Sequence, residues 1–205
     1  MNKKIQANIF IIFMTLLACG SKNNVHKNNI TDSLHTNPAE ASIDQLNTMI
    51  EKEPNNAEYL YYRGLYYQDQ EDYKLAIDDF NRSIVNDSTS ETSWCNRANC
   101  KLALDDFEGA IDDYTKAIQL KPTYYEAYYN RGTLYDSKKD YETAINDYTM
   151  AVELKPDFTE AYYNRGVNYF LMKKKDKACE DFKKASDLGD EQAKDAYQKN
   201  CIASK

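Results

Sequence analysis

The sequence predicts an all-α fold: an α-solenoid of stacked antiparallel helix pairs with one more helix capping its C-terminal end. Three observations carry this. Small residues recur at a fixed offset, with Gly64, Ala98, Gly132 and Gly166 standing 34 residues apart, as do Ala76, Ala110, Ala144 and Ala178. Large side chains keep the same offset at Leu60, Trp94, Tyr128 and Tyr162, and at Phe80, Tyr114, Tyr148 and Phe182. So do charges, Arg63, Arg97, Arg131 and Arg165 matching Asp79, Asp113, Asp147 and Asp181. Two helices approach closely only where a side chain is nearly absent, so the small residues mark the crossings. The large ones fill the space around them. No unit buries that face alone, so stability is a sum of units and neighbour interfaces.

With 205 residues, 42% of them apolar, and a net charge of -7, the chain suits one solenoid rather than two globular domains. The negative balance argues against nucleic acid, whose phosphates require clustered Lys and Arg. The densest basic run, Lys173 to Lys175, reads as a solvated turn. At the start, two lysines precede an apolar stretch over residues 5–18 that is too short for a spanning helix of about 20 residues. Residues 1–18 therefore read as a secretory signal. Residues 19–39, rich in Asn, Ser, Thr and Lys and containing both histidines, His26 and His35, cannot offset their ordering entropy and read as a flexible tether. Over residues 40–56, Ile43, Leu46, Met49 and Ile50 fall at helical spacing before Pro54. This is a half-unit that covers the open end of the stack.

Four units follow, at residues 57–90, 91–124, 125–158 and 159–192, each a first helix, a polar turn, a second helix and a linking turn. Pro122 and Pro156 stop second helices, whereas Ser88 and Asp190 replace them in the first and fourth units, where a different bend is expected. Lys101 interrupts the series Tyr67, Tyr135, Tyr169, so looser packing is expected in the second unit. Each repeated Arg can pair with an Asp of the same period, which is favoured over a ligand-binding stripe. Neighbouring carboxylates such as Asp112 and Asp113 point about 100° apart on a helix and form no catalytic dyad. Residues 190–205 supply the capping helix and tail. A hairpin at Gly189 brings Cys179 opposite Cys201, leaving open a disulfide of about 3 kcal/mol or two buried thiols. Cys95 and Cys100 lie about 7.5 Å and 140° apart on one helix and cannot bridge each other.

In residues 125–158, Tyr128, Gly132, Tyr135, Ala144, Tyr148, Ala151 and Pro156 follow the pattern of a 34-residue repeat. Over residues 57–192 the chain resembles the tetratricopeptide-repeat family. The resemblance implies a superhelix whose first helices line a concave groove. The second place of each unit then holds Glu58, Thr92, Glu126 and Glu160, the fifth Tyr61, Cys95, Tyr129 and Tyr163, and the sixth Tyr62, Asn96, Asn130 and Asn164. An Asn ladder suits the backbone of an extended peptide, because a carboxamide both donates and accepts. The Glu column departs from members that clamp a C-terminal carboxylate, so a neutral or basic extended segment fits better. Leu16, Leu17, Ala18 and Cys19 look like the lipobox of bacterial lipoproteins. That resemblance implies cleavage before Cys19, a diacylglyceryl group on its sulfur, and export into an oxidising compartment. With Gly20 rather than Asp next, it points to the outer membrane facing the periplasm.

The expected function is a membrane-anchored protein- or peptide-binding scaffold of the bacterial cell envelope, monomeric without its partner. The alternative is an architectural, self-associating solenoid with no groove ligand. The repeat region has no His, no Gly-rich phosphate loop, no nucleophile beside a base and no clustered metal ligands. An enzyme, a metal and a cofactor are therefore not expected.

Overall fold

Side-chain caps start most of the helices. Ser42 and Gln45 form a reciprocal capping box, and the side chains of Asn56, Ser90, Asp106, Asp140 and Asp190 accept from amides of the following first turns. The computed structural model describes Cys19 and residues 37–202, so the signal at 1–18, the tether from 20 to 36 and residues 203–205 lie outside the described residues. A short 3-10 turn at Pro38–Glu40 leads into α1 (Ile43–Lys52). Four helix pairs follow: α2 (Ala57–Asp69) with α3 (Tyr73–Asn86), α4 (Glu91–Ala103) with α5 (Phe107–Leu120), α6 (Tyr125–Ser137) with α7 (Tyr141–Leu154), and α8 (Thr159–Leu171) with α9 (Lys175–Asp187). The last helix, α10 (Glu191–Tyr197), runs into a π-turn at Gln198–Ile202. Consecutive helices pack on one another in an all-α solenoid of stacked antiparallel pairs.

The same turn joins the two helices of every unit. Glu71, Asp105, Lys139 and Lys173 adopt φ of 60° to 62°, and the next amide bonds back to Tyr67, Lys101, Tyr135 or Tyr169 at 2.8–2.9 Å. This left-handed closure satisfies carbonyls left open at the helix end. The crossings are as tight as the small residues require. A Cβ on Gly64 would stand 2.7 Å from the Phe80 ring, and one on Gly166 would stand 2.9 Å from Phe182.

Two sequence expectations about irregular positions resolve differently. The junction at Ser88 does not bend in its own way: Asp87 (φ -139°, ψ 93°) has nearly the backbone of Lys121 (-134°, 88°) and Lys155 (-133°, 89°). The stop comes from the extended residue itself, which proline only reinforces. The fourth junction does differ, because Gly189 takes φ 102°. Lys101 does not loosen its unit either. Its Nζ reaches Asp113 Oδ2 at 2.8 Å and the Gly109 carbonyl at 3.3 Å, replacing ring packing by an ion pair.

The repeated charges form the connection between units. Arg63, Arg97, Arg131 and Arg165 each donate through two nitrogens to both oxygens of the Asp sixteen residues later, at 2.6–2.9 Å. The third donor of each points the other way, to Asn47, Asn81, Thr115 or Thr149 at 2.7–3.1 Å. Each guanidinium on a first helix thus ties the second helix of its own unit to the second helix before it. At the far end Cys179 and Cys201 are disulfide-bonded with Cα atoms 5.7 Å apart, fastening α10 and its turn to α9. A loop of that length restricts the unfolded chain by about 3 kcal/mol.

Arg131→Met should leave the Asp147 carboxylate, 6% exposed, without its cation. The expected cost is about 3–5 kcal/mol in urea denaturation. Arg131→Met combined with Asp147→Leu should recover most of that loss.

Candidate functional site

The first helices α2, α4, α6 and α8 carry every groove position inferred from the sequence. Glu58 and Glu160 are exposed, Glu126 is half-buried, and Tyr61, Tyr62 and Tyr163 are half-buried beside the fully buried Tyr129. Burial pushes the phenols of Tyr61, Tyr62 and Tyr163 up, so they stay protonated donors. The rings pack edgewise or tilted, Tyr61 on Tyr62 at 5.2 Å and Tyr129 on Phe158 at 4.7 Å.

The three ladder residues differ from a freely presented row of carboxamides. Asn96, Asn130 and Asn164 are 1%, 0% and 3% exposed, and their amides are engaged within the chain. Asn164 Nδ2 donates to Tyr129 OH at 3.2 Å and Asn96 Nδ2 to Tyr61 OH at 3.4 Å, in each case the fifth-place Tyr of the preceding unit. Asn96 also donates to the Thr92 carbonyl at 3.0 Å. For Asn130 that fifth place is Cys95, which has no phenol. Asn130 Nδ2 turns instead to Asn99 Oδ1 at 3.2 Å, which also accepts from the Tyr114 hydroxyl.

Into this gap comes Cys19. Its sulfur is bonded to Cys95, with Cα atoms 5.8 Å apart. Its carbonyl accepts from Asn96 Nδ2 at 2.9 Å, and its sulfur lies 3.5 Å from Asn99 Nδ2 and 3.9 Å from Asn130 Nδ2. The lipidation expected at Cys19 would use the same sulfur. One divalent sulfur joins its own Cβ to a single further atom, so a disulfide and a thioether exclude each other in one molecule. Cys100 is in no disulfide and is buried, its thiol donating a hydrogen bond to Gln68 Oε1 at 3.4 Å and its pKa pushed up to about 12 by burial.

Sequence reasoning did not name Asn99, Asp136 or Asn168 as site residues. Asn99 and Asp136 occupy the ninth and twelfth places of first helices, the same helices that carry the places read above. Asn168 is 0% exposed, and neither amide atom makes a hydrogen bond of ordinary geometry. Burial pushes the Asp136 carboxyl up to about 6, the Asn168 amide opposing that shift. Among the described residues no three His, Cys, Asp or Glu side chains are placed to hold a metal, and no helix is long and apolar enough to cross a membrane.

Models described as tetratricopeptide repeat match residues 39–91, 92–124, 125–158 and 159–191. The chain belongs to the tetratricopeptide-repeat family. Among solved tetratricopeptide-like structures, a crystal structure of MamA shares 32% identity at a TM-score of 0.69, covering 74% of this chain and 89% of that one. The tetratricopeptide domain of Arabidopsis OM64 shares 27% identity at a TM-score of 0.53, over 55% of this chain and 93% of that one. MamA 41-end from Desulfovibrio magneticus RS-1, at 22% identity and a TM-score of 0.65 over 71% and 82%, shares the fold. No curated protein sequence matches. As a tetratricopeptide scaffold, the chain is of the type that engages protein partners.

The sign of the Asp136 shift sets a pH dependence. Its folded value, about 6, lies above the unfolded value near 3.8, so the folded state holds the proton more tightly and stability falls as pH rises between the two. Asp136→Asn should flatten thermal stability over that window and gain about 1–2 kcal/mol at pH 8. An unchanged profile would show Asp136 to be well solvated.

Proposed function

We propose that this protein is a membrane-anchored scaffold of the bacterial cell envelope that holds an extended, neutral or basic protein segment in its concave groove. The observation that carries the reading is the set of half-buried rings on the first helices, Tyr61, Tyr62 and Tyr163, beside the exposed carboxylates of Glu58 and Glu160. A ladder carboxamide both donates and accepts, so it suits the backbone of a segment regardless of its side chains. Each such bond contributes only about 1 kcal/mol. Affinity then draws on the half-buried rings of Tyr61, Tyr62 and Tyr163, with the buried Tyr129 packed beneath. The exposed carboxylates of Glu58 and Glu160, with Glu126 between them, favour a neutral or positively charged segment over an acidic one. With units about 10 Å apart and an extended chain rising about 3.3 Å per residue, four units span on the order of twelve ligand residues.

Anchoring is read from the sequence motif ending at Cys19, with the lipid on that sulfur and the repeats in the periplasm at the outer membrane. In an anchored molecule the Cys19 to Cys95 bond is absent, and the fifth place of the second unit holds a thiol. Acyl chains supplied in twos or threes hold a protein firmly where one chain does so marginally.

Crosslinking capture from intact cells is the direct test, comparing wild type with the Glu58→Gln, Glu126→Gln, Glu160→Gln variant. A captured protein with a basic segment should bind the triple variant about tenfold more weakly, from roughly 0.5 kcal/mol for each carboxylate removed, and a neutral segment should bind both proteins alike. Identical capture of a basic segment by both proteins, or a strongly acidic captured segment, would overturn the groove assignment. For the anchor, Cys19→Ser should move the protein out of the membrane fraction; a variant that stays there would overturn it.

A further inference from the structure

We propose that the seam between the first helices of the third and fourth units, α6 and α8, is a subsite for one lysine side chain of the held segment, its ammonium seated on Asp136 and Asn168. The inference rests on reading the first helices as the lining of a segment-binding groove, and it names a residue that the segment carries. Asp136 departs from what the molecule does with its other buried carboxylates. Asp79, Asp113, Asp147 and Asp181 each face an Arg at 2.6–2.7 Å. What acts on Asp136 is burial and the Asn168 amide, with no Lys or Arg among the described residues. The residue is half-buried, so one side of a desolvated carboxyl stays open to an incoming group. A carboxylate taken out of water without a cation is costly, and a cation arriving with a ligand recovers that cost.

The polar groups around it are unmet in the same way. Asn168 is 0% exposed with both Nδ2 and Oδ1 lacking a hydrogen bond of ordinary geometry, and the Tyr148 hydroxyl on α7 is fully buried without a partner. Burial, with the Asp136 charge next, pushes the Tyr148 phenol up, so the two groups share one environment. The equivalent place one unit earlier shows what is lacking. There the Tyr114 hydroxyl donates to Asn99 Oδ1. In the third unit that ninth place holds Thr133, whose hydroxyl turns to the Asn130 carbonyl at 2.7 Å and leaves Tyr148 alone. Buried polar groups are normally paired, so a seam with this much unused capacity is one that a further group completes. That group must donate and carry positive charge. An ammonium is a compact charge with three rotatable donors, which suits acceptors on separate side chains. A guanidinium fork suits the two parallel oxygens of one carboxylate, the use it already has in the Arg–Asp pairs.

The full chain, purified in detergent, and its Asp136→Asn variant are each used at pH 8 to select from a phage library of random twelve-residue peptides. The wild type should enrich peptides that share one lysine. A synthetic peptide of that consensus should bind Asp136→Asn about tenfold more weakly, and replacing its lysine by Gln should weaken binding to the wild type equally and to the variant not at all. Because Asp136→Asn is expected to stabilise the fold at pH 8, binding lost by that variant is not folding lost. Peptides enriched without a shared lysine, or a lysine peptide bound equally by both proteins, would overturn the subsite and leave the groove reading intact. The second readout needs no peptide. Butylammonium chloride, an ammonium on a stem of lysine length, should move the side-chain amide NMR signals of Asn168 saturably in the wild type and not in Asp136→Asn, while 1-butanol moves them in neither. No movement, or the same movement in both proteins, would overturn the subsite. Saturable movement with no peptide enriched would support the subsite and overturn the groove reading.

Discussion

Each unit is held to the one before it by a guanidinium shared among three helices. An Arg on the first helix grips an Asp on the following helix with two parallel bonds, the strongest hydrogen-bond geometry available to a side-chain pair. Its remaining donor crosses to the helix before. The Asp side chains are only 3–6% exposed, so the charge is affordable only because its partner is fixed there. The pair therefore sets orientation as well as energy. An inserted or deleted residue in either helix would turn one charge away from the other and leave it buried alone. The same constraint explains the first helix: α1 has no unit of its own, but Asn47 supplies the acceptor that Arg63 requires.

Around that framework, irregular sequence positions are absorbed or exploited according to what each replacement side chain can do. Lys101 removes a ring but supplies a cation that Asp113, already paired with Arg97, accepts as a second partner. The helix pair stays closed. Cys95 also removes a ring and supplies no phenol in its place, its sulfur being bonded to Cys19 instead. The Asn130 amide, deprived of the phenol that Asn96 and Asn164 use, reorganises toward Asn99, and residue 19 enters the space. The second unit thus departs from the repeat at the place where Cys19 is bonded.

Much of the fold was legible because periodicity is a property of the chain. A 34-residue offset in small, aromatic and charged residues can be satisfied only by identical units in register, so helix pairing, the Arg–Asp partners and the α10 cap followed from spacing. The left-handed turn residues Glu71, Asp105, Lys139 and Lys173 were not legible, since none is glycine and each is set by helices closing on both sides. The junction at Ser88 was misjudged for a related reason: its backbone is dictated by the next helix, and proline is one way among several to meet that demand. In the groove, the ladder and the rings were found by counting places. That the carboxamides would be buried and tied to the preceding unit was not, because a place in a repeat says which face a residue shares and not what stands opposite.

The sequence alone determined the number of units, their register and the residue types at each place of the first helices, since each depends on separations along the chain that packing must respect. Only the tertiary structure decided which sulfur meets which. Cys95 lies 76 residues from Cys19, and no periodic offset connects them. Cys179 and Cys201 could be brought together on paper by a hairpin, yet bond or no bond depended on the approach of two Cα atoms to 5.7 Å. The Asp136 carboxyl belongs with these, because desolvation depends on what packs over a group and is not encoded at the group itself.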